Sequence, residues 1–154
     1  MKTIIRRSAL MLHPSERIFN LVNDIGAYPQ FVTHCVGSEI HEATEQQVRA
    51  TLQLKKTGVK TAFTTANTLY PSNKIVMALV DGPFRSLQGE WRFSALRDDA
   101  CKVELDLEFE MDNGALAKLV GGLFESVGNN LVDAFCQLAN DLYGRNSSYL
   151  KTLR

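Results

Sequence analysis

The sequence has 154 residues, the length of one domain at about 150 residues each. A globule of that size buries about two thirds of its chain surface, so no metal or disulfide is needed to hold it together. Hydrophobic residues make up 45% and charged residues 22%, which excludes a disordered chain. Seventeen Lys and Arg balance 17 Asp and Glu, and a net charge of zero excludes a general nucleic-acid binder while leaving room for a local basic patch. Cys35, Cys101 and Cys136 are odd in number, far apart and without a CxxC spacing, so they read as reduced thiols. Lys2, Arg6 and Arg7 ahead of Ser8–Leu12 mimic a targeting peptide, but the apolar stretch is too short and His13-Pro14 stops it. With no stretch long enough to span a bilayer, the expected location is the cytoplasm.

In chain order, Thr3–Leu12 reads as a first strand. Pro14 at a first helical position and Glu16 near the positive end of the dipole open a helix of about ten residues, carried by Ile18, Leu21, Val22 and Ile25 and ended by Gly26. Ala27–Phe31 follows as a short helix or turn around Pro29. From Val32 to Met111 the period becomes two, giving strands around Val48–Lys55, Val59–Tyr70, Lys74–Asp81 and Leu87–Ala95. The clearest is Cys101–Met111. Cys101, Val103, Leu105, Leu107, Phe109 and Met111 alternate without exception with Lys102, Glu104, Asp106, Glu108 and Glu110. The acidic column reads as a solvated face neutralised by Arg or Lys of neighbouring strands. After Asp112-Asn113-Gly114 a helical rhythm runs from Leu116 to Tyr143, about 28 residues and roughly 42 Å, with Gly144 as the C-cap. The order β, α, short α, six strands, long α defines an α+β domain over residues 1–145, with 146–154 as a flexible tail.

Three features stand outside this plan. Gly121, Gly122 and Gly128 interrupt the apolar rhythm of the long helix, at about 1 kcal/mol each relative to alanine. They either leave room for a ligand between helix and sheet or permit close packing or a kink. Phe84, after Gly82-Pro83, either gates a cavity mouth or tucks under the sheet edge. Trp91 and Phe93 point to the side of Leu87, toward the long helix, as core or as pocket lining. For catalysis the residues offer little: His13, His34 and His41 are isolated, and no HExxH, GxSxG or glycine-rich phosphate loop occurs. In an extended strand His34 and Cys35 would point to opposite faces, which excludes a nucleophile–base pair. Thr65, Asn67 and Glu90 are the polar residues that an enzyme would need inside a cavity.

Several segments resemble one family. Pro14–Val22, then Tyr28-Pro29-Gln30-Phe31-Val32 and Cys35, resemble the opening of the coenzyme Q-binding START-like family, in the polyketide cyclase and lipid transport superfamily. Gly82–Phe93 resembles its central signature, and Leu131–Phe135 with Tyr143-Gly144 its closing helix. Thr33-His34 departs from the family, where a proline is usual before the cysteine. The resemblance implies a helix-grip fold of the START/Bet v 1 type. In that fold a curved seven-stranded antiparallel sheet surrounds a long C-terminal helix, with two short helices after strand 1. It implies non-catalytic binding of ubiquinone or a related isoprenoid lipid in support of respiration, with no cofactor and no metal. The expected lining is Leu119, Val120, Leu123, Phe124 and Val127 opposite Trp91 and Phe93, with room at Gly122 and with Tyr28, Phe31 and Phe84 at the entrance. Exchange of such a ligand implies transient contact with a membrane surface, and DNA is not an expected partner. A close branch, the RatA-type ribosome association toxins, implies instead binding to the large ribosomal subunit and a block of subunit joining. Arg6, Arg7, Lys55, Lys56, Lys60, Arg85, Arg145, Lys151 and Arg154 are the candidate contacts. A polyketide cyclase-like enzyme is the third expectation, resting on fold resemblance alone.

Overall fold

The computed structural model describes residues 2–144; the expected tail 146–154 and three of the candidate basic residues, Arg145, Lys151 and Arg154, lie outside them. Strand β1 (Thr3–Met11) leads to helix α1 (Ser15–Asn23) and a 3₁₀ helix (Ile25–Gln30). Strands β2 (Cys35–Ala43), β3 (Gln47–Lys56), β4 (Val59–Tyr70), β5 (Lys74–Asp81), β6 (Phe84–Arg97) and β7 (Ala100–Met111) follow, and α2 (Ala115–Tyr143) closes the chain. The sheet runs β1-β7-β6-β5-β4-β3-β2, antiparallel throughout. α1 and the 3₁₀ helix therefore carry the chain from one sheet edge to the other, and the meander from β2 returns it to pair β7 with β1. Register shifts in three of the six ladders bend the strands, so the seven-stranded sheet is curved.

Alternation decides which face is dry. Val103, Leu105, Leu107 and Phe109 of β7 are buried, as are Leu87, Trp91 and Phe93 of β6. The outer face is charged and paired. Arg92 donates to Asp106 at 2.8 Å, Glu90 at 3.1 Å and Glu104 at 3.4 Å, while Arg85 meets Glu110 and Lys2 meets Glu108. The hydrogen bond to Asp106, ahead of those to Glu90 and Glu104, holds the Arg92 proton more tightly than in a free arginine.

Two boundaries differ from the expectation. Pro14 stands one residue before α1 rather than inside it, because its ψ of 146° is extended, and its carbonyl accepts from Arg17 and Ile18. α1 stops at Asn23, short of Gly26, where the chain tightens into the 3₁₀ helix. α2 is 29 residues long and ends as expected, with the Gly144 N–H donating to the Asn140 carbonyl. A polar clasp ties its last turns to the start of α1. His13 is 1% exposed and its Nδ1 accepts from Arg17 at 3.2 Å, which leaves Nε2–H to donate to Asn140 Oδ1 at 3.1 Å. The Arg17 guanidinium also lies 4.2 Å over the Tyr143 ring.

Candidate functional site

Between α2 and the concave face of the sheet lies a cavity of about 80 Å³. Its floor is the inward row of β3 to β7: Ala50, Leu52 and Leu54, then Phe63, Thr65 and Asn67, Met77, Leu87, Gly89 and Trp91, and Leu107. Its roof is Phe124, Val127, Gly128 and Leu131 of α2, and Ile25, Tyr28, Val32 and Cys35 close the side. The sheet needs a glycine here. A Cβ on Gly89 would come within 2.6 Å of both Leu107 Cδ2 and Met77 Cε.

All eight phenylalanines take part in ring contacts, and they fall into two groups. Phe63, Phe84, Phe109 and Phe124 meet edge to face, with centroids from 4.7 to 6.0 Å apart. Phe135 anchors the other group, against Tyr28, Phe31 and Trp91. At 1.5 Å per residue the two helix anchors, Phe124 and Phe135, are about 16 Å apart, so aromatic walls bracket the cavity from both ends.

A second hollow, on the outside, is lined by Val32, Thr33 and His34 together with Ser126, Val127, Asn130, Leu131 and Ala134 of α2. It shares Val32, Val127 and Leu131 with the cavity, so these three side chains form the partition between inside and outside. His34, beside the partition, is in the left-handed region at φ 72°, so it is not the extended residue expected from the sequence.

Of the expected lining residues, the structure brings Tyr28, Trp91, Phe124 and Val127 to the cavity. Phe31, Phe93, Val120 and Leu123 belong to the packing around it: Phe31 lies against Tyr28 and Phe135, and Phe93 between Trp91 and Phe19. Phe84 is 6% exposed inside the aromatic quartet, which makes it core and not a gate. Leu119 is 59% exposed, because the buried row of α2 runs through Val120, Phe124, Gly128 and Val132, and one residue back along a helix turns about 100° away. Gly122 is likewise exposed and makes no room for a ligand.

The glycines of α2 serve close approach instead. A Cβ on Gly128 would lie 2.9 Å from Ile5 Cδ1 and 3.2 Å from Leu107 Cδ1, and one on Gly121 would lie 2.8 Å from Met111 Cγ, whereas one on Gly122 would meet nothing within 4 Å. Gly122→Leu is therefore expected to raise stability by about 0.5–1 kcal/mol through helix propensity. Gly128→Leu, overpacked against buried side chains, is expected to lower it by about 1–3 kcal/mol. Urea unfolding of the two variants checks both signs.

Among the described residues the lining includes no charged residue and no histidine. Its ionisable groups are held neutral: burial pushes the Cys35 thiol up, and burial, then the nearby Cys35 and Asp24, push the Tyr28 phenol up. Among the described residues no cluster of three His, Cys, Asp or Glu side chains could hold a metal ion, and no helix is long and apolar enough to cross a membrane. Thr65 and Asn67 face inward, but Glu90 is on the outer face with Arg92. Gly89 and Leu131 are among the lining residues that sequence reasoning passed over, as are Ala50, Leu52, Leu54, Phe63, Met77 and Leu107. A glycine at an inward position between Leu87 and Trp91 was the available signal for the first.

Of the candidate basic residues, Lys55, Lys56 and Lys60 come together at the β3–β4 hairpin, where Thr57-Gly58 turn the chain with positive φ at both residues. Lys55 stands directly opposite Lys60, all three lysines are exposed, and none has an ion-pair partner among the described residues. Arg6 and Arg7 are far off on the opposite edge strand, and Arg85 is spent on Glu110.

A curved antiparallel sheet gripping a long C-terminal helix, with an apolar cavity between them, defines the helix-grip class of proteins. Residues 11–136 match the family of polyketide cyclases, dehydrases and lipid transport proteins, and the chain belongs to that family. It is 44% identical over 144 residues to the "Ribosome association toxin RatA" of Pseudomonas aeruginosa, covering 94% of this chain and all of that one. It is 27% identical to the mitochondrial "Coenzyme Q-binding protein COQ10 homolog B" of Xenopus laevis, over 84% of this chain and 55% of that protein. Among solved structures, the Zhui aromatase/cyclase of a Streptomyces species superposes with a TM-score of 0.79 at 15% identity, over 91% of this chain and 94% of that one, which shows a shared fold.

Proposed function

We propose that this chain associates with the ribosome, docking on the large subunit and opposing subunit joining, and that it does so without catalysis. The observation that carries this reading is the 44% identity to a protein named a ribosome association toxin over the whole length of that protein. The unpaired lysines of the β3–β4 hairpin support it. Like charges directly opposite each other in a ladder cost stability, and a phosphate-bearing partner turns that cost into attraction. The neutral, uncharged cavity lining, with its thiol and phenol held protonated, supports the absence of catalysis. Co-sedimentation with purified large subunits across a salt series tests the reading. Binding that weakens steeply with salt is expected; no binding at low salt would remove it.

A second reading concerns the cavity, and its apolar lining favours it: a hydrophobic ligand such as ubiquinone or a related isoprenoid lipid lies between α2 and the sheet. At about 80 Å³ the cavity is well below the roughly 300–1,000 Å³ of drug-sized ligand sites. An isoprenoid chain therefore enters only if Val32 parts from Val127 and Leu131. Native mass spectrometry of protein purified from its own cells, with organic extraction, tests this. A co-purified isoprenoid quinone supports it, and a protein that carries none and takes up none when quinone is added counts against it.

A further inference from the structure

The cavity holds one polar pair in an otherwise apolar lining. Thr65 and Asn67, two residues apart on β4 and so on the same face, are 9% and 6% exposed. The Thr65 hydroxyl donates to Asn67 Oδ1 at 2.9 Å, which spends the amide oxygen and turns Nδ2 away from Thr65. That nitrogen carries two hydrogens and donates to no described residue. Among the described residues only Asn23 Oδ1 is a sealed-off side-chain polar atom without a partner, so the Asn67 nitrogen opens onto the cavity, where an acceptor can reach it.

The other donors of the lining divide cleanly. The Tyr28 hydroxyl donates to the Val22 carbonyl and the Cys35 thiol to the Gly37 carbonyl, so both are spent. The Trp91 indole N–H, like the Asn67 amide, donates to no described residue. The lining thus holds an unspent amide donor at Asn67 and, among the described residues, no cation. A carboxylate or phosphate head would be buried without a counter-charge there, whereas a neutral acceptor would be satisfied.

We infer that the cavity selects a neutral apolar ligand carrying a carbonyl oxygen, a ketone, quinone, ester or amide, which accepts from Asn67 Nδ2 while Thr65 fixes the amide in the donating orientation. In this role Thr65 is a positioning residue and Asn67 the group that touches the ligand. The inference rests on the hydrophobic-ligand reading and specifies its chemistry.

The test uses a matched pair of probes, 2-octanone and 2-methyl-1-octene, which differ by C=O against C=CH₂. Both are titrated into the full-length protein and followed by NMR. The ketone is expected to bind and to shift the Asn67 side-chain NH₂ signals in the unmodified protein, and the alkene to bind without moving them. In Asn67→Leu the ratio of ketone to alkene affinity is expected to fall about fivefold, the size of one neutral hydrogen bond, and in Thr65→Val it should fall by less. If both probes bind with an unchanged ratio and a still NH₂ pair, the polar pair is structural and the inference is overturned while the ligand reading stands. If neither probe binds the unmodified protein, the ligand reading falls and takes the inference with it. The NH₂ signals of the unmodified protein decide the matter even where Asn67→Leu does not fold.

Discussion

Phe135→Ala is expected to lower the stability of this protein by about 3–5 kcal/mol, the usual cost of removing a fully buried aromatic ring. Phe135 is 0% exposed and touches Tyr28, Phe31 and Trp91 together, with centroids at 5.4, 5.1 and 5.5 Å. Through these contacts a single helix residue holds the 3₁₀ helix, the chain leading to β2 and the middle of β6 in one place. Against a total of about 5–15 kcal/mol for a domain, such a loss leaves little margin. In urea, where m is about 1–3 kcal/mol/M, the midpoint should fall by roughly 2 M. Phe135→Leu, which keeps much of the volume, should lose far less. A midpoint that moves by under about 0.3 M in Phe135→Ala would mean that this end of the cavity collapses to fill the hole, and that the aromatic wall is not a rigid boundary.

The second large effect concerns the hairpin. Reversing Lys55, Lys56 and Lys60 to Glu together should weaken association with the large ribosomal subunit by roughly 100-fold or more near 0.1 M salt. Each lysine that sits on a phosphate releases a counterion, so the slope of log affinity against log salt should flatten by about two to three. All three side chains are exposed and without ion-pair partners among the described residues, so folding stability should stay within about 0.5 kcal/mol. Replacement by Gln, which removes charge without reversing it, should give an intermediate loss. If the Glu variant sediments with the subunits as the unmodified protein does, the hairpin is not the contact surface, whatever becomes of ribosome association itself.

Much of the fold is legible in the sequence because two segments are nearly free of exceptions. The strict alternation of Cys101–Met111 needs one dry and one wet face, and the rhythm of Leu116–Tyr143 needs a surface to cover. The site is far less legible, and the reason is chemical. The residues that line an apolar cavity are the same kinds that fill a core, so Phe84, Phe93 and Leu123 look no different from Phe124 and Val127 until the distance between helix and sheet is known. That distance is set at Gly128 against Ile5, and a glycine carries no hydrophobic signal to say which side of the helix it is on. Gly122 and Gly128 are equivalent on paper and opposite in space. Asn67 is ambiguous for a related reason: in a threonine-rich strand an amide fits either face, and only its register between Val48 and Met77 turns it inward.

The strand order also bears on how the chain comes together during its own synthesis. β1 lies at the sheet edge and, among the described residues, pairs with β7 alone, so Thr3 waits for Phe109 and Met11 for Cys101. Contacts of such sequence separation form late and slow the search for the native state. As the polypeptide emerges, the meander from β2 to β6 can assemble hairpin by hairpin, each new strand finding the previous one at hand. The first strand leaves the exit tunnel with Ile5 and Met11 still bare and stays unpaired until about residue 111 is free, a span in which non-native association is the main hazard. Among the strands β1 is thus the last to gain its partner, and α2, which follows β7 in the chain, closes on the sheet after that.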